Sequence, residues 1–322
     1  DEQFMKQALA LAKRGGRAVR PNPRVGAVVV KNGRKMAAAY HSRFGGPHAE
    51  AKALKKAGRK ARGAVLYVNL EPCSSHGKTP PCTDAIIRSG VKRVVFGCYD
   101  RNPANSRRSK ALLKKAGIEV TTGVLEEECR RLNRDFFVWS RQKRPYTTLK
   151  MALSLDGKIA TAAGDARWIS SPRSRKLGHY LRSRADAVMV GIGTILADNP
   201  LLTARMGYAN SGLKKVILDS RARFPLDARV IDEKSPRNTL VIVTPLAAEE
   251  KLRRMDAAGV RYLRVGARDR RVDLKELFRI LSEENIMRLL VEGGSEVAGS
   301  LLVEELVDEV HFFIAPIIIG DS

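Results

Sequence analysis

Two short stretches, Pro47-His-Ala-Glu50 and Glu71-Pro-Cys-Ser-Ser-His-Gly-Lys-Thr-Pro-Pro-Cys82, determine how the first part of this sequence is expected to fold. Proline is favoured in the first turn of a helix, so one helix is expected to begin near His48 and another near Cys82. The apolar run at residues 64–70 predicts a buried strand that ends just before the second stretch. Strand ends and helix starts meet at one edge of a layered α/β sheet. We therefore expect three side chains to lie close together there, those of His48, Cys73 and Cys82.

One imidazole and two thiols match the ligand chemistry of zinc, and a site with three protein ligands keeps a position open for water, as catalytic zinc does. Zinc-bound water is a nucleophile near neutral pH, and Glu50 is placed to move protons between that water and a leaving group. The helix N-terminus is expected to lower the pKa of the Cys82 thiol. Zinc deaminases carry His-x-Glu followed by Pro-Cys-x-x-Cys. Here eight residues, Ser74 to Pro81, separate the cysteines. The alternative to a zinc site is that Cys73 and Cys82 are simply two small buried residues.

The rest of the chain alternates strand and helix patterns, which indicates the α/β class. The Asn-Gly pair within Lys31-Asn-Gly-Arg34 predicts a hairpin. The charged segment Arg141-Gln-Lys-Arg-Pro145 interrupts the alternation and marks the expected boundary between domains at 1–144 and 145–322. In the second domain, strands are expected at 146–154, 187–190, 216–219, 240–244, 262–265, 288–291 and 310–319, and helices at 172–182, 247–258, 274–284 and 295–305.

Charge is unevenly distributed over the 322 residues. Residues 1–144 contain 32 Lys and Arg against 11 Asp and Glu, a net charge of +21, whereas residues 145–322 contain 27 against 23, or +4. This asymmetry fits either a polyanionic partner such as nucleic acid or a solvated basic surface. No apolar run approaches the roughly 20 residues of a membrane helix. Residues 1–20 lack the apolar core of a secretory signal and four cysteines are too few for a disulfide scaffold, so a soluble cytoplasmic protein is expected.

Taken together, the motifs resemble the bifunctional deaminase–reductase family of riboflavin biosynthesis. Besides the two stretches above, the resemblance includes Pro21-Asn-Pro-Arg-Val-Gly26. The long cysteine spacer containing Gly-Lys-Thr-Pro-Pro is specific to that family among cytidine-deaminase-like folds. The resemblance covers essentially the whole chain, and its second-half motifs are Leu153-Ser-Leu-Asp-Gly-Lys158, Trp168-Ile-Ser170, Gly193-Thr-Ile-Leu-Ala-Asp-Asn-Pro-Leu-Leu-Thr203, Leu218-Asp-Ser220 and Val291-Glu-Gly-Gly-Ser295.

This resemblance implies a cytidine-deaminase-like three-layer domain followed by a dihydrofolate-reductase-like α/β domain. The first domain would use Zn²⁺ to deaminate a 2,5-diamino-6-ribosylamino-pyrimidinone 5′-phosphate, and the second would use NADPH to reduce the ribosyl group to ribityl. Family members assemble as dimers or tetramers, so a homo-oligomer is expected. The partner implied is the small phosphorylated pyrimidine substrate, rather than a membrane or nucleic acid.

The same resemblance implies roles for individual residues. The zinc ligands are matched by His48, Cys73 and Cys82, and the proton donor by Glu50. Positions that hold the pyrimidine and its phosphate are matched by Asn22, His76 and Lys78. Substrate positions of the reductase are matched by Arg182, Leu202, Arg205 and Glu292. NADPH positions are matched by Ala152, Trp168, Thr194, Asp198, Ser220, Gly294, Ser295, Glu296, Val297, Ala298, Gly299 and Ser300.

Some of these positions are also supported by simple chemistry. Gly293-Gly294 lies between an apolar strand and a helix, so its backbone amides can approach a phosphate; a plain strand-to-helix turn is the alternative. The guanidinium groups of Arg182 and Arg205 offer a bidentate fork to a sugar phosphate. Asp198 also suits a turn, and Trp168 a hydrophobic core.

Several positions depart from the family pattern. Ser75 stands where the family usually has His, and Arg107 and Ser109 stand where two glycines usually follow an Asp-Pro-Asn-Pro motif. Ala166 replaces a common substrate-binding Ser. Family members continue for a strand or two beyond the position of Ser322, so either the end is disordered or cut, or the reductase sheet is incomplete.

Two other functions are compatible with the sequence. A zinc-dependent nucleic-acid base deaminase would account for the charge of +21, because such enzymes act on flipped-out or single-stranded bases. The cysteine spacer and the reductase-like half argue against it. An RNA-binding regulator built on a decayed enzyme would account for the departures in residues 100–109. Affinity for single-stranded RNA that falls steeply with salt would favour the nucleic-acid deaminase, and turnover with NADPH oxidation would exclude the regulator.

Overall fold

The apolar runs of the sequence form two separate sheets in the computed structural model, one in each of two compact units, residues 1–142 and 143–322. The structure describes residues 1–77, 79–102, 105–161, 171–231 and 236–320. In this part of the chain, no helix is long and apolar enough to cross a membrane.

The first unit is a five-stranded sheet with helices packed against it. Its strands are β1 (Gly26–Lys31), β2 (Arg34–Tyr40), β3 (Val65–Leu70), β4 (Arg93–Cys98) and β5 (Glu119–Thr122). Its helices are α1 (Glu2–Lys13), α2 (Ala49–Ala57), α3 (Cys82–Ser89), α4 (Arg108–Lys115), α5 (Glu126–Leu132) and α6 (Arg134–Gln142). The strand order is β2-β1-β3-β4-β5, with β1 antiparallel to both neighbours and the last three strands parallel. Almost every residue of β1, β3 and β4 is buried, so both faces of the sheet are covered.

Local signals place the first elements as predicted. Asn32 and Gly33 have φ values of 50° and 72°, the left-handed conformation that a two-residue hairpin turn requires. Gly58 and Gly90 follow α2 and α3 with φ values of 54° and 70°, which ends both helices. These turns confirm the hairpin and the two helices on which the zinc hypothesis depends.

At Gly26, strand β1 packs very closely against the backbone of α1. A Cβ at this position would lie 2.1 Å from the carbonyl oxygen of Ala8 and 2.7 Å from the amide nitrogen of Ala12, both backbone atoms of α1. Replacing Gly26 by Ala must push α1 away from the sheet, so we expect it to lower the free energy of unfolding by about 1–3 kcal/mol or more. Urea unfolding of the full chain measures this loss. The control is Gly77→Ala, where no atom lies within 4 Å of the added Cβ, and equal losses in both variants would contradict the packing argument.

The second unit is built around a seven-stranded parallel sheet. Its sheet strands are β6 (Tyr146–Leu153), β7 (Ala187–Gly191), β8 (Lys214–Leu218), β9 (Thr239–Val243), β10 (Tyr262–Arg264), β13 (Arg288–Glu292) and β14 (Glu309–Ile314), and a small hairpin is formed by β11 (Ala267–Arg268) and β12 (Arg271–Val272). Its helices are α7 (Pro172–Arg184), α8 (Ile192–Asp198), α9 (Glu249–Ala257), α10 (Leu274–Glu283) and α11 (Ser295–Val303). The strand order is β10-β9-β8-β7-β13-β6-β14.

Alternate residues of this parallel sheet point into two hydrophobic cores, one on each face. Val188, Val190 and Leu290 belong to the core that includes α8 and α9, whereas Met189 and Val291 belong to the core that includes α10 and α11. Cover on both faces is typical of parallel sheets. Together the two units confirm the predicted fold class, a three-layer α/β domain followed by a second α/β domain.

The sequence prediction missed some elements and placed the end of one strand wrongly. Helices α5, α6 and α8 and the β11–β12 hairpin were not predicted. The strand expected at 310–319 ends at Ile314, because Pro316 has no N–H to donate and the chain then turns over Asp156. The Asp156 carboxylate accepts hydrogen bonds from the backbone N–H groups of Ile319 and Gly320 at 3.2 and 2.8 Å.

Candidate functional site

The structure brings the three predicted zinc ligands together at one edge of the first sheet. His48 is the N-cap of α2, Cys73 lies three residues beyond β3, and Cys82 is the first residue of α3. His48 Nδ1 lies 3.2 Å from Cys82 Sγ and 3.5 Å from Cys73 Sγ. The backbone N–H of Cys82 donates to Cys73 Sγ at 3.2 Å. All three ligand atoms lie within 4.8 Å of one another.

This cluster fits a tetrahedral zinc ion. Zinc binds imidazole nitrogen at about 2.0 Å and thiolate sulfur at about 2.3 Å, which separates adjacent nitrogen and sulfur ligands by roughly 3.5 Å. The observed separations of 3.2 and 3.5 Å agree with that spacing. His48 Nε2 lies 3.3 Å from Thr79 Oγ1. When Nδ1 ligates a metal, Nε2 carries the ring proton and would donate to this oxygen, the kind of outer hydrogen bond that orients a metal-ligating imidazole.

The two thiols differ in their acidity. The hydrogen bond from the Cys82 thiol, together with those from His48 and the Cys82 backbone, lowers the pKa of Cys73 to about 4. The pKa of Cys82 is raised, because its thiol donates to Cys73 and because it is buried. In the metal-free cluster these two causes act against the lowering expected from the start of α3. Two thiolates this close together repel each other, so deprotonation of both is favoured only when a cation neutralises them.

Glu50 lies in the first turn of α2 and is buried, with 3% of its surface exposed. Its Oε2 has no hydrogen-bond partner among the residues that the structure describes. Burial raises the pKa of this carboxyl. A carboxyl that holds a proton closer to neutral pH and has an unsatisfied oxygen is suited to general acid–base work.

Asn22 is held by a residue that the sequence interpretation missed. Its side-chain amide donates to His41 Nε2 at 3.1 Å, and His41 Nδ1–H donates to the carbonyl of Pro47 at 3.2 Å. Burial lowers the pKa of His41, which keeps the ring neutral and able to accept from Asn22. The rings of His41 and His48 meet edge to face at 5.3 Å. His41 has no spacing motif of its own, so only its position after β2 could have suggested a role.

The other predicted site residues of the first unit are His76 and Lys78. His76 is exposed on the segment between the two cysteines, and Lys78 lies outside the described residues. Ser75, which replaces the usual His, donates its hydroxyl to Asn105 Oδ1 at 2.6 Å. Arg107, which stands where the family usually has glycine, has a φ of 62°, a left-handed conformation that glycine adopts more readily.

In the second unit, two strand ends converge where a dinucleotide is expected to bind. β7 and β13 are neighbours, and the chain leaves them into α8 and α11. A Cβ on Gly293 would lie 2.6 Å from Thr194 Oγ1, and Gly293 and Gly294 have φ values of 100° and 46°. At Gly293 both the conformation and the space favour glycine, and at Gly294 the conformation alone does. Thr194 and the start of α11, which we call the cradle, therefore lie close together, and a helix N-terminus is a favourable place for a phosphate.

Arg182 and Glu292, with side chains 15% and 10% exposed, form a largely buried ion pair beside this cradle. Arg182 Nε and Nη2 donate to the two carboxylate oxygens of Glu292, each at 2.7 Å, and Arg182 Nη1 donates to the carbonyl of Thr203 at 3.1 Å. Although burial acts to raise it, the pKa of Glu292 is lowered by the guanidinium. The fork of Arg182 that was expected to hold a phosphate is thus occupied by a carboxylate.

The other predicted reductase residues lie on several strands, helices and loops of the second unit. The Arg205 backbone N–H donates to His179 Nδ1 at 3.2 Å, and Leu202 is buried with a φ of 49°. His179 is a second residue that the sequence interpretation missed. Ala152 lies on β6, Asp198 ends α8 in an exposed position, and Ser220 accepts a hydrogen bond from Thr244 Oγ1 on its carbonyl at 2.8 Å. In the turn and helix at 294–300, Ala298 is buried and Ser295, Glu296 and Gly299 are exposed, with Val297 and Ser300 between these extremes. Trp168 and Ala166 lie outside the described residues.

Known proteins match both halves of the chain. The family described as the cytidine and deoxycytidylate deaminase zinc-binding region matches residues 1–98, and the family described as the RibD C-terminal domain matches residues 145–322. The riboflavin biosynthesis protein RibD of Aquifex aeolicus is 47% identical over 323 residues, which span all of this chain and 88% of the relative. That of Escherichia coli is 39% identical, over all of this chain and 89% of the relative.

Solved structures agree with these sequence relatives. Acinetobacter baumannii RibD has a TM-score of 0.85 at 37% identity, over 99% of this chain and 87% of that one. A diaminohydroxyphosphoribosylaminopyrimidine deaminase/5-amino-6-(5-phosphoribosylamino)uracil reductase from Thermotoga maritima has a TM-score of 0.82 at 42% identity, over all of this chain and 88% of that one.

Proposed function

This chain belongs to the RibD family of bifunctional deaminase/reductases of riboflavin biosynthesis, and from that premise we propose which of its residues perform each reaction. The enzyme uses zinc in a hydrolytic deamination and NADPH in a reduction, both on a small phosphorylated pyrimidine. We assign deamination to residues 1–144 and reduction to residues 145–322.

For the deaminase, the zinc would be held by His48 Nδ1 and by the sulfurs of Cys73 and Cys82. When bound, zinc supplies Lewis-acid activation of a water molecule. Glu50 takes the proton that water gives up as it adds to the amino-bearing ring carbon, and returns it to the departing ammonia. Asn22, fixed by His41, orients the pyrimidine, and the exposed His76 with Lys78 receives the phosphate.

For the reductase, Thr194 and the turn at Gly294–Ser300 hold NADPH, together with Ala152, Trp168, Asp198 and Ser220. NADPH supplies the hydride when bound. The Arg182–Glu292 pair and Leu202 form the wall that orients the ribosyl group. Because the guanidinium of Arg182 is already paired, Arg205 is the better placed of the two arginines for the substrate phosphate.

The observation that carries this assignment is the convergence of His48, Cys73 and Cys82 beside the unpaired Oε2 of Glu50. We expect removal of zinc by a chelator to abolish ammonia release while leaving NADPH oxidation intact when the deaminated substrate is supplied. Incubations with the diaminopyrimidinone phosphate, following ammonia and NADPH separately, test both halves. Ammonia release at the untreated rate by zinc-free enzyme would refute the deaminase assignment.

We also propose a homo-oligomer, a dimer or tetramer, in the cytoplasm. The family resemblance supports the assembly, and β14 leaves Phe312 and Ile314 57% and 63% exposed. The four free thiols support a reducing compartment. Light scattering on the purified enzyme measures the mass, and a monomer at micromolar concentration would refute the assembly.

A further inference from the structure

We propose that Glu71 is a positioning residue of the deaminase site, because its carboxylate joins the segment that carries Cys73 to the stretch that follows β4. This inference rests on the proposed deaminase function. We call Glu71 with its partners Asp100, Arg107 and Ser109 the Glu71 junction.

The carboxylate of Glu71 accepts four hydrogen bonds. Oε2 accepts from the backbone N–H groups of Asp100 at 3.2 Å and Arg107 at 2.9 Å. Oε1 accepts from the backbone N–H of Ser109 at 3.2 Å and from its hydroxyl at 2.8 Å. The backbone N–H of Glu71 donates to the carbonyl of Cys98 at 2.8 Å. Glu71 follows directly after β3 and is 3% exposed, so these bonds are shielded from water.

The junction requires a carboxylate rather than another polar group. Three of its four donors are backbone N–H groups, which cannot turn round to accept. A glutamine offers one acceptor oxygen and an NH₂ group, and that NH₂ would face at least one buried N–H. A buried donor without a partner is costly, so the neutral isostere is expected to loosen the junction.

A second set of bonds ties the other side of Cys73 to the same stretch. Ser75 Oγ donates to Asn105 Oδ1 at 2.6 Å, and Asn105 Nδ2 donates to Asp100 Oδ2 at 3.3 Å. Glu71 lies two residues before Cys73 and Ser75 two residues after it, so the ligand is braced on both sides. The position of Cys73, and of His76 next to Ser75, therefore depends on this stretch although it holds no zinc ligand.

Two of the departures from the family pattern, Arg107 and Ser109, fall at the junction itself. A glycine in place of Ser109 would keep the backbone bond to Oε1 and lose the hydroxyl bond, so this chain has one bond more than the glycine pattern allows. The two substitutions differ in how many hydrogen bonds they affect. Removing the Ser109 hydroxyl takes away one donor, whereas changing Glu71 affects all four bonds. This difference gives an ordered pair of variants.

The test compares Glu71→Gln with Ser109→Ala in the full-length, zinc-loaded enzyme. We expect Glu71→Gln to raise KM for ammonia release by about tenfold or more with a smaller change in kcat, and to speed the loss of zinc to a chelator by a similar factor. Ser109→Ala is expected to shift both quantities in the same direction by less. NADPH oxidation with the deaminated substrate should stay at the wild-type rate in both. The control is Ser140→Ala, a buried hydroxyl of the same unit that donates to the Phe137 carbonyl instead.

Each outcome is decisive. Wild-type KM and zinc loss in Glu71→Gln would overturn the positioning role, and so would equal changes in Ser140→Ala. If Glu71→Gln fails to fold, Ser109→Ala alone decides, since an unchanged KM and zinc loss in it would also overturn the proposal. Absence of ammonia release from the wild-type enzyme would instead refute the proposed function.

Discussion

Glu50→Gln is expected to lower kcat for ammonia release by a factor of about 10²–10⁴, the range in which a positioned general acid–base contributes. Glutamine has nearly the same shape but cannot carry a proton from water to the leaving amine. Glu50 is buried, its pKa is raised, and its Oε2 has no partner among the described residues, so this oxygen is available for proton transfer. The measurement is steady-state ammonia release by the zinc-loaded variant.

The zinc content and the second reaction are the controls for this variant. Glu50 is not one of the three clustered ligands, so the variant is expected to retain one zinc and to oxidise NADPH normally with the deaminated substrate. Glu2→Gln, a change in an exposed carboxylate on α1, should leave both reactions unaltered. Ammonia release within threefold of wild type in Glu50→Gln would rule out the assigned role.

Arg182→Ala is expected to damage the reductase unit in two separable ways. Removing one partner of a buried ion pair leaves the other charge unpaired, which typically costs about 3–5 kcal/mol in the free energy of unfolding. The substitution also releases the carbonyl of Thr203, which lies next to Leu202 in the proposed substrate wall. We therefore expect kcat/KM for NADPH oxidation to fall by about 100-fold or more, while ammonia release is unchanged.

The double variant Arg182→Ala/Glu292→Gln separates these two effects. Glutamine removes the unpaired charge, so most of the lost stability in urea unfolding should return. Activity should not return, because neither orienting group is restored. If the double variant recovers NADPH oxidation along with stability, Arg182 and Glu292 serve the fold alone, and the substrate role assigned to them is wrong.

Local signals were enough to predict the zinc cluster. His48 and Cys82 each follow a proline at the start of a helix, and Cys73 follows the end of a buried strand. Elements of this kind are positioned by short-range chemistry, and the topology of an α/β sheet then brings their ends to one edge. The positions of these three residues relative to the strand end and the helix starts were therefore enough to predict that their side chains meet.

Long-range side-chain pairs could not be predicted in this way. Arg182 and Glu292 are 110 residues apart, and each was assigned to the substrate without any sign that they bond to each other. Glu71 and Ser109 are 38 residues apart, and their bond depends on a left-handed backbone at Arg107. Nothing in a single sequence states which carboxylate meets which donor, because burial and register decide it. Helix α5 was missed because it contains few apolar residues, and α6 because its four apolar residues are consecutive and show no helical spacing.

The strands of the seven-stranded sheet are synthesised in an order that differs from their order in the sheet. β13 lies between β6 and β7, yet it is synthesised after β10, which lies at the far edge. Until residue 292 has emerged, β6 and β7 cannot take their final places, and their inner edges offer unpaired N–H and C=O groups to other chains. The first unit needs only residues 1–142. We therefore expect nascent chains to carry a folded deaminase unit ahead of an aggregation-prone reductase unit, and reduced expression temperature or chaperone supply to improve the yield of the second unit more than that of the first.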